Sequence, residues 1–153
     1  MMNTAGSGPE ETIRIRYHSG EIDRLDYIDG KSDWIDLRSD ETVDMKAGEF
    51  RLISLGVSVQ LPAGYEMLIA ARSSTFPRYG LIQTNALGIV DESYCGDDDI
   101  LKWPCYATRD THIERNDRIC QFRILAHQPR IRFLEVEALG NSARGGFGST
   151  GSA

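Results

Sequence analysis

The chain has little of what several large protein classes require. Cysteine is scarce: there are 3, Cys95, Cys105 and Cys120, an odd number with no C-x-x-C pair. They fit neither a disulfide framework nor a zinc site, and they read as buried or idle thiols of a reducing cytosol. Positive charge is in deficit, with 17 Lys and Arg against 23 Asp and Glu and a net charge of −6. Non-specific nucleic-acid and membrane-surface binders need clustered positive charge, so neither kind of partner is expected. No apolar run approaches the roughly 20 residues of a membrane span. The first residues carry neither a basic n-region nor an apolar h-region, and residues 1–10 read as a flexible leader outside the fold. At 153 residues the chain suits one domain. A domain of that size buries about 70% of its unfolded surface, so it folds without disulfides or metal.

What is present reads as short strands. Ile13, Ile15 and Tyr17 alternate with Arg14 and Arg16. Phe50, Leu52, Leu55, Val57, Val59 and Leu61 keep near period-two spacing, with a slip at Ile53–Ser54 that suggests a bulge. Pro62-Ala63-Gly64 breaks the run, and Glu66 to Ala71 begins another. Ile119–Leu125 and Ile131–Val136 are further candidates. The one helix-like stretch, Ser73 to Tyr79, is limited by Pro77. Turn-forming residues, such as Ala47-Gly48, Cys95-Gly96 and Asn116-Asp117, separate most of these segments. Many short strands without alternating helices predict an all-β sandwich, jelly roll or barrel. Residues 11–141 are the expected β domain. The glycine-rich residues 142–153 have almost nothing to bury and are compositionally a tail, yet an Arg, a Phe and a Ser-Thr pair sit among amides able to wrap an anion.

Several local patterns fail on inspection. Gly30-Lys31-Ser32 looks like the end of a phosphate-binding P-loop, but position 25 is Leu where the pattern needs Gly. His112-Ile113-Glu114 and Pro104-Cys105 stand in the wrong order for a zinc deaminase, and the second Cys is missing. Asp97-Asp98-Asp99 reads as a solvated turn rather than a metal cage. Two segments are more specific. Ala71-Arg72-Ser73-Ser74-Thr75 places a fixed cation and hydroxyls directly after an apolar strand, which suits phosphate oxygens. Asn85 to Gly96 reads as a hairpin with a carboxylate, Asp91, and an aromatic ring, Tyr94, three residues apart.

At these residues the chain resembles the trimeric dUTPase family (deoxyuridine triphosphate nucleotidohydrolases). Counterparts of its five motifs occur in order from Asp36 to Gly151. The third reads Gly88-Ile89-Val90-Asp91-Glu92-Ser93-Tyr94-Cys95-Gly96, the second Ala71 to Ser74, the fourth Asn116-Asp117-Arg118-Ile119-Cys120-Gln121, and the fifth ends at Gly145 to Gly151. The resemblance implies a β-barrel or jelly-roll homotrimer with three sites at subunit interfaces and an exchanged C-terminal arm. It implies hydrolysis of dUTP at the α-phosphorus to dUMP and pyrophosphate. Asp91 would activate water and Tyr94 would pack on the deoxyribose. Asn85, with Gly88, Ile89 and Val90, would read the uracil edge. Arg72, Ser73, Ser74 and Gln121 would hold phosphates. Arg144, Gly148, Ser149 and Thr150 would close over the γ-phosphate while Phe147 stacks on the base. Mg²⁺ would be chelated mainly by the triphosphate, with Asp36 near it through water or orienting the arginine.

The chain departs from the family pattern at three places. Asp33-Trp34-Ile35 replaces the usual A-G-x before Asp36-Leu37. Ser142 stands where the fifth-motif Arg is usual, with Arg144 two residues later. Asn116 replaces Gly, a change that a left-handed turn tolerates. Two rival readings follow: a dCTP deaminase of the same superfamily, against which Asp91 and Tyr94 speak, and a nucleotide-dependent regulatory protein on the same scaffold.

Overall fold

The computed structural model describes residues 9–28, 30–146 and 148. Of the expected leader, residues 1–8 lie outside that range, and residues 9 and 10 are exposed without regular structure. Along the chain the elements are β1 (Arg14–Tyr17), β2 (Ile35–Arg38), β3 (Val43–Met45), β4 (Phe50–Gln60), β5 (Tyr65–Ala71), α1 (Thr75–Tyr79), β6 (Leu81–Gln83), β7 (Gly88–Val90), β8 (Ile100–Ala107), β9 (Thr111–Ile113) and β10 (Arg118–Ala126). All pairings are antiparallel. One sheet runs β1-β4-β8-β6, a second runs β2-β10-β5-β7, and β3 pairs with β9. The all-β expectation holds, with one short helix.

Period-two patterning explains the packing. In β8, Leu101, Trp103, Cys105 and Ala107 point inward and are buried, while Lys102, Pro104 and Tyr106 point out. They meet Ile53, Leu55, Val57 and Val59 of β4, and Leu37, Met67, Ile69 and Phe122 from the second sheet. Trp103 is fully buried, so its indole N–H needs an acceptor. It donates to Gln83 Oε1 at 2.6 Å, and Gln83 Nε2 donates to the Ile69 carbonyl at 2.9 Å. That buried chain of bonds ties the two sheets together. Pro104 sits inside a sheet one position past the end of β6 at Gln83, where its carbonyl still accepts from the Thr84 amide at 3.2 Å.

Four expectations need correction. The register irregularity of β4 lies between Ser54 and Ser58, around Gly56 (φ 70°), rather than at Ile53–Ser54. A Cβ on Gly56 would also come 2.7 Å from Asp40, so only glycine serves there. The helix begins at Thr75, not Ser73. Asn85–Gly96 is not a hairpin: β7 pairs with β5 in the second sheet, and the chain then crosses to β8 in the first. Ile131–Val136 is no strand here, because no described segment pairs with it, and Phe133 is 94% exposed.

Candidate active site

The phosphate-type residues gather at one end of the second sheet. Asp36 on β2 faces Gln121 on β10, and Gln121 in turn faces Ala70 on β5. Arg72 follows β5 directly. Its Nε is ion-paired with Asp36 Oδ1 at 3.0 Å, and one terminal nitrogen donates to the Arg118 carbonyl at 3.1 Å. Arg118 reaches the other oxygen of Asp36 at 3.3 Å. Two guanidinium groups therefore share one carboxylate, leaving a local excess of positive charge, and Asp36 is only 10% exposed. Gln121 Nε2 donates to the Ala71 carbonyl at 3.1 Å. Ser73 is exposed and Ser74 half-buried. Thr75 is buried beneath them: its hydroxyl accepts from the Arg72 amide at 2.9 Å and donates to the Ile119 carbonyl at 2.9 Å. Asn116 adopts φ 78°, the left-handed turn expected of it, and its side chain accepts from the Asp23 amide at 2.8 Å.

The second group surrounds a cleft of about 240 Å³ lined by Ile69, Ile89, Val90, Asp91, Tyr94 and Lys102, among others. Asp91 and Tyr94 are joined by a turn in which the Tyr94 amide donates to the Asp91 carbonyl at 3.0 Å. The Tyr94 hydroxyl donates to the Ile100 carbonyl at 2.9 Å, which fixes the ring at the cleft wall. Ile89 is 61% exposed and points outward from β7. A Cβ on Gly88 would come 3.1 Å from Ile69 Cβ and 3.8 Å from Asn85 Nδ2, so the glycine admits close strand approach. Asp99 accepts from the Gly96 amide at 2.8 Å, and Arg16 bonds the Asp97 carbonyl and Asp98, so the acidic run is a pinned turn. Among the described residues no group of three or more His, Cys, Asp or Glu could hold a metal ion.

The two groups do not meet within one chain. Val90 faces Met67 and β7 runs antiparallel to β5, so Asp91 continues away from Ala71. Arg72 lies five residues beyond Met67 in the other direction. At about 3.3 Å per residue this separates the two ends by roughly 17 Å, far more than a triphosphate spans. Arg144 is exposed, and its Nε donates to the Gly145 carbonyl at 3.4 Å. Gly148 has φ 91°. Phe147, Ser149 and Thr150, expected at the γ-phosphate and the base, lie outside the described residues.

Two side chains beside these groups were not singled out by sequence. Arg118 stands inside the fourth motif, where its signal was available. Lys102 is marked only by its outward parity on β8. The buried thiols offer no nucleophile: burial pushes Cys105 up to about 12 and Cys120 well above the ordinary range.

A family model for dUTPase matches residues 33–151. The chain is 49% identical over 140 residues to the SPbeta prophage-derived deoxyuridine 5'-triphosphate nucleotidohydrolase YosS of Bacillus subtilis, covering 92% of this chain and 98% of that one. The fold is that of the Staphylococcus bacteriophage 80alpha dUTPase solved with dUPNHPP, with a TM-score of 0.70 and 24% identity over 92% of this chain and 99% of the other. A mutant dUTPase from phage phi11 of S. aureus, solved with a structural Mg(II) ion, gives a TM-score of 0.72 and 19% identity over 84% of this chain and 98% of that one. The chain belongs to the dUTPase family. It is a hydrolase, a deoxyuridine triphosphate nucleotidohydrolase by that membership.

Proposed function

We propose that the enzyme hydrolyses dUTP at the α-phosphorus, giving dUMP and pyrophosphate, in a homotrimer whose sites form between chains. One observation carries this reading: β5 bears the cationic Arg72 cluster at one end and the Asp91–Tyr94 cleft toward the other. The two become one site only when one copy's cleft faces another copy's arginine cluster. The exposed Ile131, Phe133, Leu134, Val136 and Leu139 support the assembly, since the segment leading to the arm offers an apolar surface for a neighbour to cover.

In this reading Tyr94 lies flat on the deoxyribose and leaves no room for a 2′-hydroxyl, while Asn85 and the backbone of Gly88, Ile89 and Val90 read uracil. Arg72, Ser73, Ser74 and Gln121 hold the phosphates, with Asp36 orienting Arg72. Asp91 accepts the proton of the attacking water, and the rest of the catalysis is positioning and charge neutralisation. Arg144, Gly148, Ser149 and Thr150 close over the γ-phosphate, and Phe147 covers the base. Among the described residues there is no preformed cage of carboxylates, so Mg²⁺ fits as an ion carried by triphosphate oxygens. There it would neutralise phosphate charge.

Pyrophosphate release measured with dUTP, dTTP, dCTP and UTP tests the assignment, beside the mass of the assembly in solution. dUTP alone should be turned over, by a trimer. Ammonia release from dCTP would replace this reading with deamination. Nucleotide binding without turnover would leave the regulatory one.

A further inference from the structure

The helix α1, which follows the Arg72–Ser74 segment, cannot hold itself. It has five residues with a proline among them and no side-chain N-cap, and a helix that short is far below what is stable alone. Its first turn is tied down by Thr75, as described above. Its last turn is tied by a residue from elsewhere in the chain, Arg109, in the β8–β9 connection. One terminal nitrogen of Arg109 donates to the Pro77 carbonyl at 3.0 Å and the Arg78 carbonyl at 3.1 Å.

Those carbonyls would otherwise lack partners. The chain leaves the helix at Gly80 (φ 64°), whose amide returns to the Phe76 carbonyl at 2.7 Å. Thr108 completes the clamp: its hydroxyl and its amide both donate to the Gly80 carbonyl, at 2.6 and 2.9 Å. The Arg109 stem lies on bare Gly80, where a Cβ would come 2.7 Å from Arg109 Cγ. At the opposite face, the Tyr79 hydroxyl donates to Asp117 Oδ2 at 2.8 Å, joining α1 to the turn that presents Arg118. Arg109 itself is exposed and has no carboxylate partner among the described residues. An arginine in that state ordinarily matters little to a protein.

We infer that Arg109 is a positioning residue for phosphate binding: by clamping the end of α1 it holds Ser73 and Ser74 in register with Arg72. The path is short and continuous. Arg109 fixes Pro77 and Arg78, and the Arg78 amide donates to the Ser74 carbonyl at 3.0 Å. This inference rests on the functional reading above. It adds a residue outside the five motifs.

The test compares wild type with Arg109→Ala and Arg109→Lys. Loosening the segment weakens phosphate contacts in substrate and transition state alike, so Arg109→Ala should raise KM for dUTP about five- to tenfold with kcat within about twofold. Binding of the non-hydrolysable dUPNHPP should weaken by a similar factor, while dUMP, lacking the β- and γ-phosphates, should lose less than about twofold. Lysine keeps the charge and reaches one carbonyl, so it should recover part of the loss. A residue that serves only stability would lower the active fraction and leave KM alone. An unchanged KM in Arg109→Ala, or equal weakening of dUMP and dUPNHPP, overturns the inference. A wild-type enzyme that does not release pyrophosphate from dUTP would instead sink the functional reading beneath it.

Discussion

Asp36 grips Arg72 through Nε at 3.0 Å while its second oxygen takes Arg118 at 3.3 Å. The carboxylate thus sets the direction of one guanidinium and shields it from the other. Asp36→Asn removes the charge and keeps the shape. Arg72 and Arg118 would then repel, and the substitution should raise KM for dUTP about tenfold while lowering stability by about 1–2 kcal/mol. That loss stays below the fully buried range because Arg118 is 41% exposed to screening water. Steady-state kinetics and chemical denaturation measure both. A normal KM would remove Asp36 from the orientation of Arg72.

Asp91→Asn keeps size and hydrogen-bonding capacity but cannot take a proton. Turnover should fall by about 10² or more, with dUPNHPP binding retained. Near wild-type kcat would eliminate Asp91 as the base.

Tyr94 is pinned by its hydroxyl to the Ile100 carbonyl, so its ring is a rigid wall. Replacing it with alanine should bring the kcat/KM values for dUTP and UTP closer by about tenfold or more. An unaltered ratio would assign sugar discrimination elsewhere.

Deleting everything after Asn141 should leave the β core and the proposed trimer intact, because residues 142–146 are exposed and contribute little burial. Hydrolysis should drop by about 10² or more if the arm completes the site as a lid. Melting temperature, oligomer mass and turnover of the shortened chain are the measurements. Full activity would make the arm a tail and void the assignments of Arg144, Phe147, Gly148, Ser149 and Thr150.

His112 offers a pH handle on β9, a few residues before the turn that presents Arg118. Its Nδ1 lies 2.6 Å from Asp44 and its Nε2 2.6 Å from Glu114, an arrangement in which both nitrogens donate only as imidazolium. The bonds to Asp44 and then Glu114 raise its pKa above the ordinary 6.5. A raised folded pKa gives stability that is fully present below the unfolded value and is lost as pH rises through the folded one. Wild type should therefore melt above His112→Gln below the ordinary imidazole pKa of about 6.5, and the gap should narrow as pH rises above it through the raised folded value. A gap independent of pH would contradict the assignment.

Much of the fold was legible because burial imposes period two on single strands. Leu101, Trp103, Cys105 and Ala107 announce a buried face whatever they pair with. Pairing partners are a different kind of information. The Asn85–Gly96 segment carries good turn residues, and local signals favoured a hairpin, but Val90 finds its neighbour at Met67, 23 positions earlier in the chain by their numbering. Ile131–Val136 has strand composition and no described partner. The residue types of the site were readable from motif order. The sharing of Asp36 between Arg72 and Arg118 was not, since it arises from β2, β5 and β10 lying side by side.

The span of β5 has a kinetic consequence. When each half of a site is useless without another molecule's half, catalysis becomes a property of association. Specific activity would then not be constant on dilution: below the assembly midpoint it should fall with enzyme concentration, and saturating dUTP, by bridging two chains, should move that midpoint lower.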